Sequence, residues 1–223
     1  MNEPLNQDTT DLPAGFDVIS SSVDVDGEQF SIVHPRDAEG LIDEAAFNRD
    51  ERLPYWADIW PASIALSRTV RGLNGKGKTF LELGCGVGLV AAAALRAGFE
   101  VTVSDYYDEA LTFARMNGLS NSGREPHAML LDWRHLPNAI PAFDVVAASD
   151  VLYERTLGAL VARTMAMTLA ENGRALISDP GRVGSPSFFD ALHDVGLKHV
   201  GAVVVSVPMH GRDNAVTVHE ISH

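Results

Sequence analysis

Short apolar runs alternate with helix-forming stretches from Lys78 to the end of the chain, and this alternation is the tightest constraint on what the sequence can fold into. Thr79–Leu83 reads as a buried strand, Val87–Ala97 as an alanine-rich helix stopped by Gly98, and Glu100–Ser104 as the next strand. Asp108 opens a helix to about Leu119, and Ala128–Leu131 and Phe143–Ala148 follow as the third and fourth strands. Leu157, Leu160, Val161, Thr164 and Thr168 mark one face of a helix that Gly173 is expected to end, before Ala175–Ser178 forms the fifth strand. Ser185-Pro186 opens a helix through Phe188, Leu192 and Val195; Val200–Val207 and Ala215–Ile221, joined at Gly211, close as an antiparallel pair. Repeated β-α units cross over right-handedly. The expected fold is therefore α/β: a Rossmann-like seven-stranded sheet, mainly parallel with a terminal antiparallel hairpin, and helices on both faces.

The preceding residues read differently. Residues 1–15 are polar, contain two prolines, and are expected to form a disordered arm. Residues 16–77 form an extension expected to cover the site of the following domain, residues 78–223. In it, Phe16–Val25 and Glu28–His34 flank Asp26-Gly27, a dipeptide suited to the positive φ of a tight hairpin. Asp37–Arg52 is charged and expected to be partly helical, and Pro61 suits the first turn of a helix that Gly72 stops.

Composition narrows the class. With 46% apolar and 21% charged residues the chain has the makeup of a globular protein. The 30 acidic against 17 basic residues leave a charge of −13, which provides no footprint for a phosphate backbone and argues against nucleic acid as a partner. Cys85 is the single cysteine, so there is no internal disulfide and no cysteine-based zinc site, and the eight histidines show no metal-ligand spacing. The N-terminal residues lack the features of a signal peptide, and the longest wholly apolar stretch, Leu89–Leu95, is too short to span a bilayer. No membrane partner and a cytoplasmic location are expected.

Glu82-Leu83-Gly84-Cys85-Gly86-Val87-Gly88 falls where the first strand gives way to a helix. Glycines there let backbone approach a ligand closely, and the amides of the helix N-terminus favour an anionic group. Asp105 ends the next strand, where a carboxylate can accept both hydroxyls of a ribose. A nicotinamide dinucleotide competes for this loop, since Gly86-Val87-Gly88-Leu89-Val90-Ala91 fits G-x-G-x-x-A. Against it stand the 78 or so residues before the first strand, the additional upstream Glu82 and Gly84, and the antiparallel end of the sheet.

Asp132-Trp133 follows the third strand; there the acid can accept from an adenine amino group while the ring stacks, and Tyr106 can pack on the other adenine face. Ser149-Asp150-Val151-Leu152-Tyr153 follows the fourth strand, at the crevice where open α/β sheets bind ligands. Asp150 can hold a substrate amine and Tyr153 can flank an aliphatic ammonium with its ring. Each feature also has a plain reading: helix cap for Asp150, local packing for Tyr153, hydrophobic anchor for Trp56 and Trp60, and small packing residue for Cys85.

Together, the Glu82–Gly88 loop, Asp105 and the terminal hairpin resemble the class I, seven-β-strand methyltransferases that use S-adenosylmethionine, over roughly residues 54–222. The resemblance implies that Glu82, Gly84, Gly86 and Gly88 belong to the cofactor loop and that Asp105 binds the ribose. Pro54-Tyr55-Trp56-Ala57-Asp58-Ile59-Trp60-Pro61, Asp150-x-x-Tyr153 and Asp179-Pro180-Gly181-Arg182 are similar to the subgroup of protein-lysine methyltransferases that includes the electron-transfer-flavoprotein β-subunit enzyme, and to nicotinamide N-methyltransferase-like proteins. That likeness implies that Trp60 closes over the cofactor, that Asp150 and Tyr153 act at the acceptor, and that the acceptor is a protein lysine or a small amine. A small-molecule N- or O-methyltransferase is the alternative, and a dehydrogenase or a non-catalytic cofactor-binding module are more remote ones.

Overall fold

The central strands are buried on both faces, and successive residues point alternately into two different cores. The computed structural model describes residues 15–41 and 53–223, so residues 1–14 of the expected arm and 42–52 of the charged stretch lie outside the described residues. β1 (Val18–Val25) and β2 (Glu28–Pro35) form an antiparallel hairpin turning at Asp26 and Gly27, whose φ values of 52° and 84° are the positive angles such a turn needs. The main sheet comprises β3 (Thr79–Leu83), β4 (Glu100–Asp105), β5 (His127–Leu130), β6 (Phe143–Ser149), β7 (Leu169–Asp179), β8 (Lys198–Met209) and β9 (Arg212–Ser222). Its order is β5-β4-β3-β6-β7-β9-β8; β3 to β7 are parallel and β9 runs antiparallel to both β7 and β8. The chain reverses its direction of winding between β3 and β6, which opens a crevice at their carboxyl ends.

Phe80, Val101, Val103, Val145, Ala147 and Leu176 point into one core, and Leu81, Leu83, Val146, Ala148 and Ile177 into the other. Helices α1 (Pro61–Arg71), α2 (Leu89–Arg96) and α3 (Asp108–Ser122) cover the first face. Helix α2 is apolar on every side because it is enclosed on every side; Leu89 to Leu95 are all buried. Helices α4 (Leu157–Thr168) and α5 (Ser185–Asp194) cover the second face.

Gly173 does not end α4. The helix stops at Thr168 and passes straight into β7, and the Thr164 and Thr168 hydroxyls donate to the carbonyls of Leu160 and Thr164, both at 2.8 Å. Gly173 lies where the β6–β7 register jumps, with Phe143 opposite Leu169 but Val145 opposite Arg174. A Cβ at Gly173 would stand 2.9 Å from the Asp144 carbonyl oxygen, so the irregularity needs glycine for close approach.

The hairpin is fastened to α3 by two asparagines one turn apart. Asn121 accepts from Ser31 N–H at 2.9 Å and donates to Ser31 C=O at 2.8 Å. Asn117 does the same for Val33, at 2.9 and 2.8 Å, and its Nδ2 also donates to the Val87 carbonyl at 2.8 Å. Phe30 and Ile32 of β2 are fully buried in the first core.

Candidate active site

A cavity of about 640 Å³ opens over the carboxyl ends of β3, β4 and β6. Of the residues singled out from the sequence it gathers Trp60, Gly84, Gly86, Asp105, Tyr106, Asp132, Trp133, Asp150 and Tyr153, and leaves out Glu82 and Gly88.

The three glycines of the loop have positive φ (66°, 51° and 82°), and they face three different neighbours. A Cβ on Gly84 would meet Val151 Cγ1 at 3.1 Å and the Trp133 ring at 3.4 Å. On Gly86 it would lie 3.0 Å from the Trp56 carbonyl oxygen, which comes from the short 3-10 turn Tyr55–Ala57. On Gly88 it would lie 2.5 Å from Ala114 Cα, so this glycine lets α3 approach the loop rather than lining the cavity. Glu82 is buried at the end of β3, with no hydrogen-bond partner on one carboxylate oxygen. Burial, and to a smaller extent the Asp105 charge, push its carboxyl well above the ordinary range against the pull of the Ala91 main chain. Cys85 is likewise buried, and its thiol is pushed up by burial and by the same two acids, which leaves it unreactive.

Asp105, at the end of β4, is held rigidly beside the glycine loop. Its Oδ2 accepts from Gly86 N–H at 3.0 Å and its Oδ1 from Tyr107 N–H at 3.1 Å, fixing the carboxylate plane while each oxygen keeps a free lone pair. Burial raises its pKa to about 6 against the pull of those two amides. Asp132 accepts from Arg134 N–H and pairs with His135 Nδ1, both at 3.0 Å. Burial alone would raise this carboxyl, but His135 and Arg134 outweigh it and hold it below the usual range. Trp133 lies beside it in the wall, and Tyr106 has the Arg134 guanidinium 5.9 Å from its ring centre. Trp60 caps α1 and donates its indole N–H to the Tyr55 carbonyl at 2.9 Å.

Around Asp150 the structure shows a pairing that the sequence left unseen. Asp150 leaves β6 with φ at 57°, a left-handed conformation that aspartate tolerates better than most residues, and its carboxylate is turned inward. Both oxygens are already engaged: Arg182 donates from Nε to Oδ1 at 2.6 Å and from Nη2 to Oδ2 at 3.0 Å. Asp179 positions that arginine by accepting from the main-chain N–H groups of Gly181 and Arg182 and from the Ser185 hydroxyl. The Asp179-Pro180-Gly181-Arg182 run was a visible signal; its pairing with Asp150 across 32 positions was not. Tyr153 packs edge-on against Tyr55, ring centres 5.2 Å apart, and is 39% exposed. Partial burial, with smaller contributions from Glu154 and Asp105, pushes its phenol upward, so it remains protonated at neutral pH. Among the described residues, no group of three or more His, Cys, Asp or Glu could hold a metal ion, and no helix is long and apolar enough to cross a membrane.

Residues 47–194 match a family model described as lysine methyltransferase. The chain is 29% identical over 134 residues to the electron transfer flavoprotein β subunit lysine methyltransferase of Danio rerio, covering 58% of this chain and 51% of that protein. It is 32% identical over 120 residues to protein N-lysine methyltransferase METTL21A of Danio rerio, covering 50% and 55%. The chain thus spans about half the length of the curated relatives it matches. Among solved structures, magnesium protoporphyrin IX methyltransferase from Synechocystis PCC 6803 with bound SAM superposes with a TM-score of 0.59 at 18% identity, over 82% of this chain and 93% of that one. At that identity the likeness is one of fold.

Proposed function

The chain belongs to the lysine methyltransferase family, and from that premise we propose that it transfers a methyl group from S-adenosylmethionine to the side-chain amine of a lysine in a protein. The observation that carries this reading is one cavity lined both by Asp105 with the glycines Gly84 and Gly86 and by Asp150, Tyr153 and Arg182.

The residues present fit the cofactor. Asp105 offers two fixed acceptor lone pairs, as a ribose diol requires, and Gly84 and Gly86 present bare backbone in the cavity wall, where a Cβ would press on Val151 and Trp133 or on the Trp56 carbonyl. Trp133 and Tyr106 supply aromatic surface for a base, with Asp132 beside them. When bound, the cofactor supplies an electrophilic methyl on a sulfonium whose thioether leaves without needing an acid. The chain's own work is alignment and exclusion of water, with the acceptor nitrogen held about 3–3.5 Å from the carbon it attacks. A lysine amine, with a reference pKa of about 10.4, must lose a proton first. Tyr153 is a poor base for that proton, because its phenolate is disfavoured; its part is to wall the acceptor with its ring. The single free, buried Cys85 is in keeping with a reducing compartment, and we place the reaction in the cytoplasm.

Transfer of labelled methyl groups in a cell extract, resolved by size, tests the reading. Label on protein that survives hydrolysis as methyllysine supports it; label confined to small molecules overturns it. Two results follow for the cofactor end. Asp105→Ala removes both hydroxyl contacts and is expected to weaken S-adenosylhomocysteine by about 1–3 kcal/mol in calorimetry. The wild-type affinity is also expected to depend on pH in a defined direction. Asp105 is ionised above its pKa of about 6 and accepts best in that form, so affinity rises as pH climbs through that value and then levels. Asp105→Asn is expected to flatten the profile.

A further inference from the structure

The Asp150–Arg182 pair poses a problem for a site that accepts an amine. The Asp150 side chain is only 6% exposed, and a carboxylate that far from water needs a counter-charge. Arg182 supplies it bidentately, yet the Arg182 side chain is itself 37% exposed and its guanidinium lies 5.7 Å from the Trp60 ring centre, at the rim of the cavity. Among the described residues, the other carboxylates lining the cavity are Asp58, Asp105, Asp132 and Glu154, and Arg134 is the other cation. Asp132 is occupied by Arg134 and His135, and Asp179, outside the cavity lining, holds the main chain of Arg182. Tyr55 and Tyr153 complete the surroundings.

We infer that Arg182 is a charge-balancing, positioning residue of the acceptor site: by clamping both oxygens of Asp150 it keeps that carboxylate from trapping the acceptor as a tightly bound ammonium. This rests on the reading of the acceptor as an amine. An ammonium has no lone pair with which to attack, and a bare buried carboxylate would favour that unreactive form. With Arg182 in place the pair is neutral, while each Asp150 oxygen retains a lone pair that can accept an N–H of the neutral amine and aim its nitrogen. The nearby guanidinium charge further disfavours the protonated amine. Arg182 acts through Asp150 and need not touch the acceptor.

The test needs no identified acceptor. n-Butylammonium, which mimics the end of a lysine, is titrated into protein saturated with S-adenosylhomocysteine, with n-butanol as the uncharged control. Arg182→Gln frees Asp150 but leaves the main-chain anchor to Asp179 intact, and is expected to bind n-butylammonium about tenfold tighter or more than wild type, with n-butanol unchanged. Arg182→Lys restores a cation and is expected to return the affinity towards wild type. Adding Asp150→Asn to Arg182→Gln is expected to abolish the gain. Equal n-butylammonium affinity in wild type and Arg182→Gln overturns the inference and leaves the amine reading standing. Absence of n-butylammonium binding in every variant, with S-adenosylhomocysteine still bound, overturns the amine reading itself and the inference with it.

Discussion

Asp150→Asn is expected to lower methyl transfer to a lysine acceptor by about a hundredfold or more, while S-adenosylhomocysteine affinity stays within about twofold of wild type. The substitution is mild for the backbone, because asparagine tolerates the left-handed φ of 57° at this position. It is severe for the site. An amide cannot accept both Arg182 donors, so the guanidinium loses half of its clamp and the acceptor loses the oxygen that aims it. Asp105 is held by the main-chain N–H groups of Gly86 and Tyr107, not by Asp150 or Arg182, and keeps its geometry. Single-turnover transfer and product calorimetry on the same preparation separate the two effects. Full activity in Asp150→Asn would reduce Asp150 to a structural ion pair. Tyr153→Phe keeps the ring and its contact with Tyr55, and is expected to cost less than tenfold.

Gly88→Ala is expected to destabilise the protein by about 2–5 kcal/mol, far more than alanine at a glycine usually does. Two costs add. The φ of 82° is strained for any residue with a side chain, and the new methyl would lie 2.5 Å from Ala114 Cα, which is helix backbone and cannot rotate away. Helix α3 must move, and with it the asparagines that hold the hairpin. Gly86→Ala meets the Trp56 carbonyl at 3.0 Å in a short turn, so the expected loss there is mainly of cofactor affinity. Urea midpoints and S-adenosylhomocysteine titration on both variants distinguish a glycine packed against a core helix from one packed against a turn that lines the cavity.

This contrast marks where the sequence could be read and where it could not. Strand β3, helix α2 and the loop between them follow from local pattern: a short strand rich in Phe and Leu, alternating glycines, then an alanine-rich stretch. Asp105 follows from its place at the end of β4. Pattern gives Gly84, Gly86 and Gly88 equal standing, and only the third dimension assigns them to Val151 and Trp133, to Trp56, and to Ala114. The same holds for Asp150. Its place after β6 is legible, but its partner comes from the turn after β7, and charge complementarity between two loops leaves no periodic trace in the chain. The end of α4 was hidden for a different reason: Thr168 stops the helix without a glycine, while Gly173, which looks like a stop, serves a register jump in the sheet.

The asparagine fastening of the hairpin bears on how the chain could be shortened. Asn117 is fully buried and serves three main-chain groups, two on Val33 and one on Val87 in the glycine loop. Deleting β1 and β2 would strand that amide beside a newly bared apolar surface where Phe30 and Ile32 had been. The penalty would then reach the Val87 carbonyl, and so the loop itself. A minimal catalytic fragment built from the seven-stranded sheet and its helices alone would therefore be expected to lose ligand affinity along with solubility, although none of the deleted residues lines the cavity.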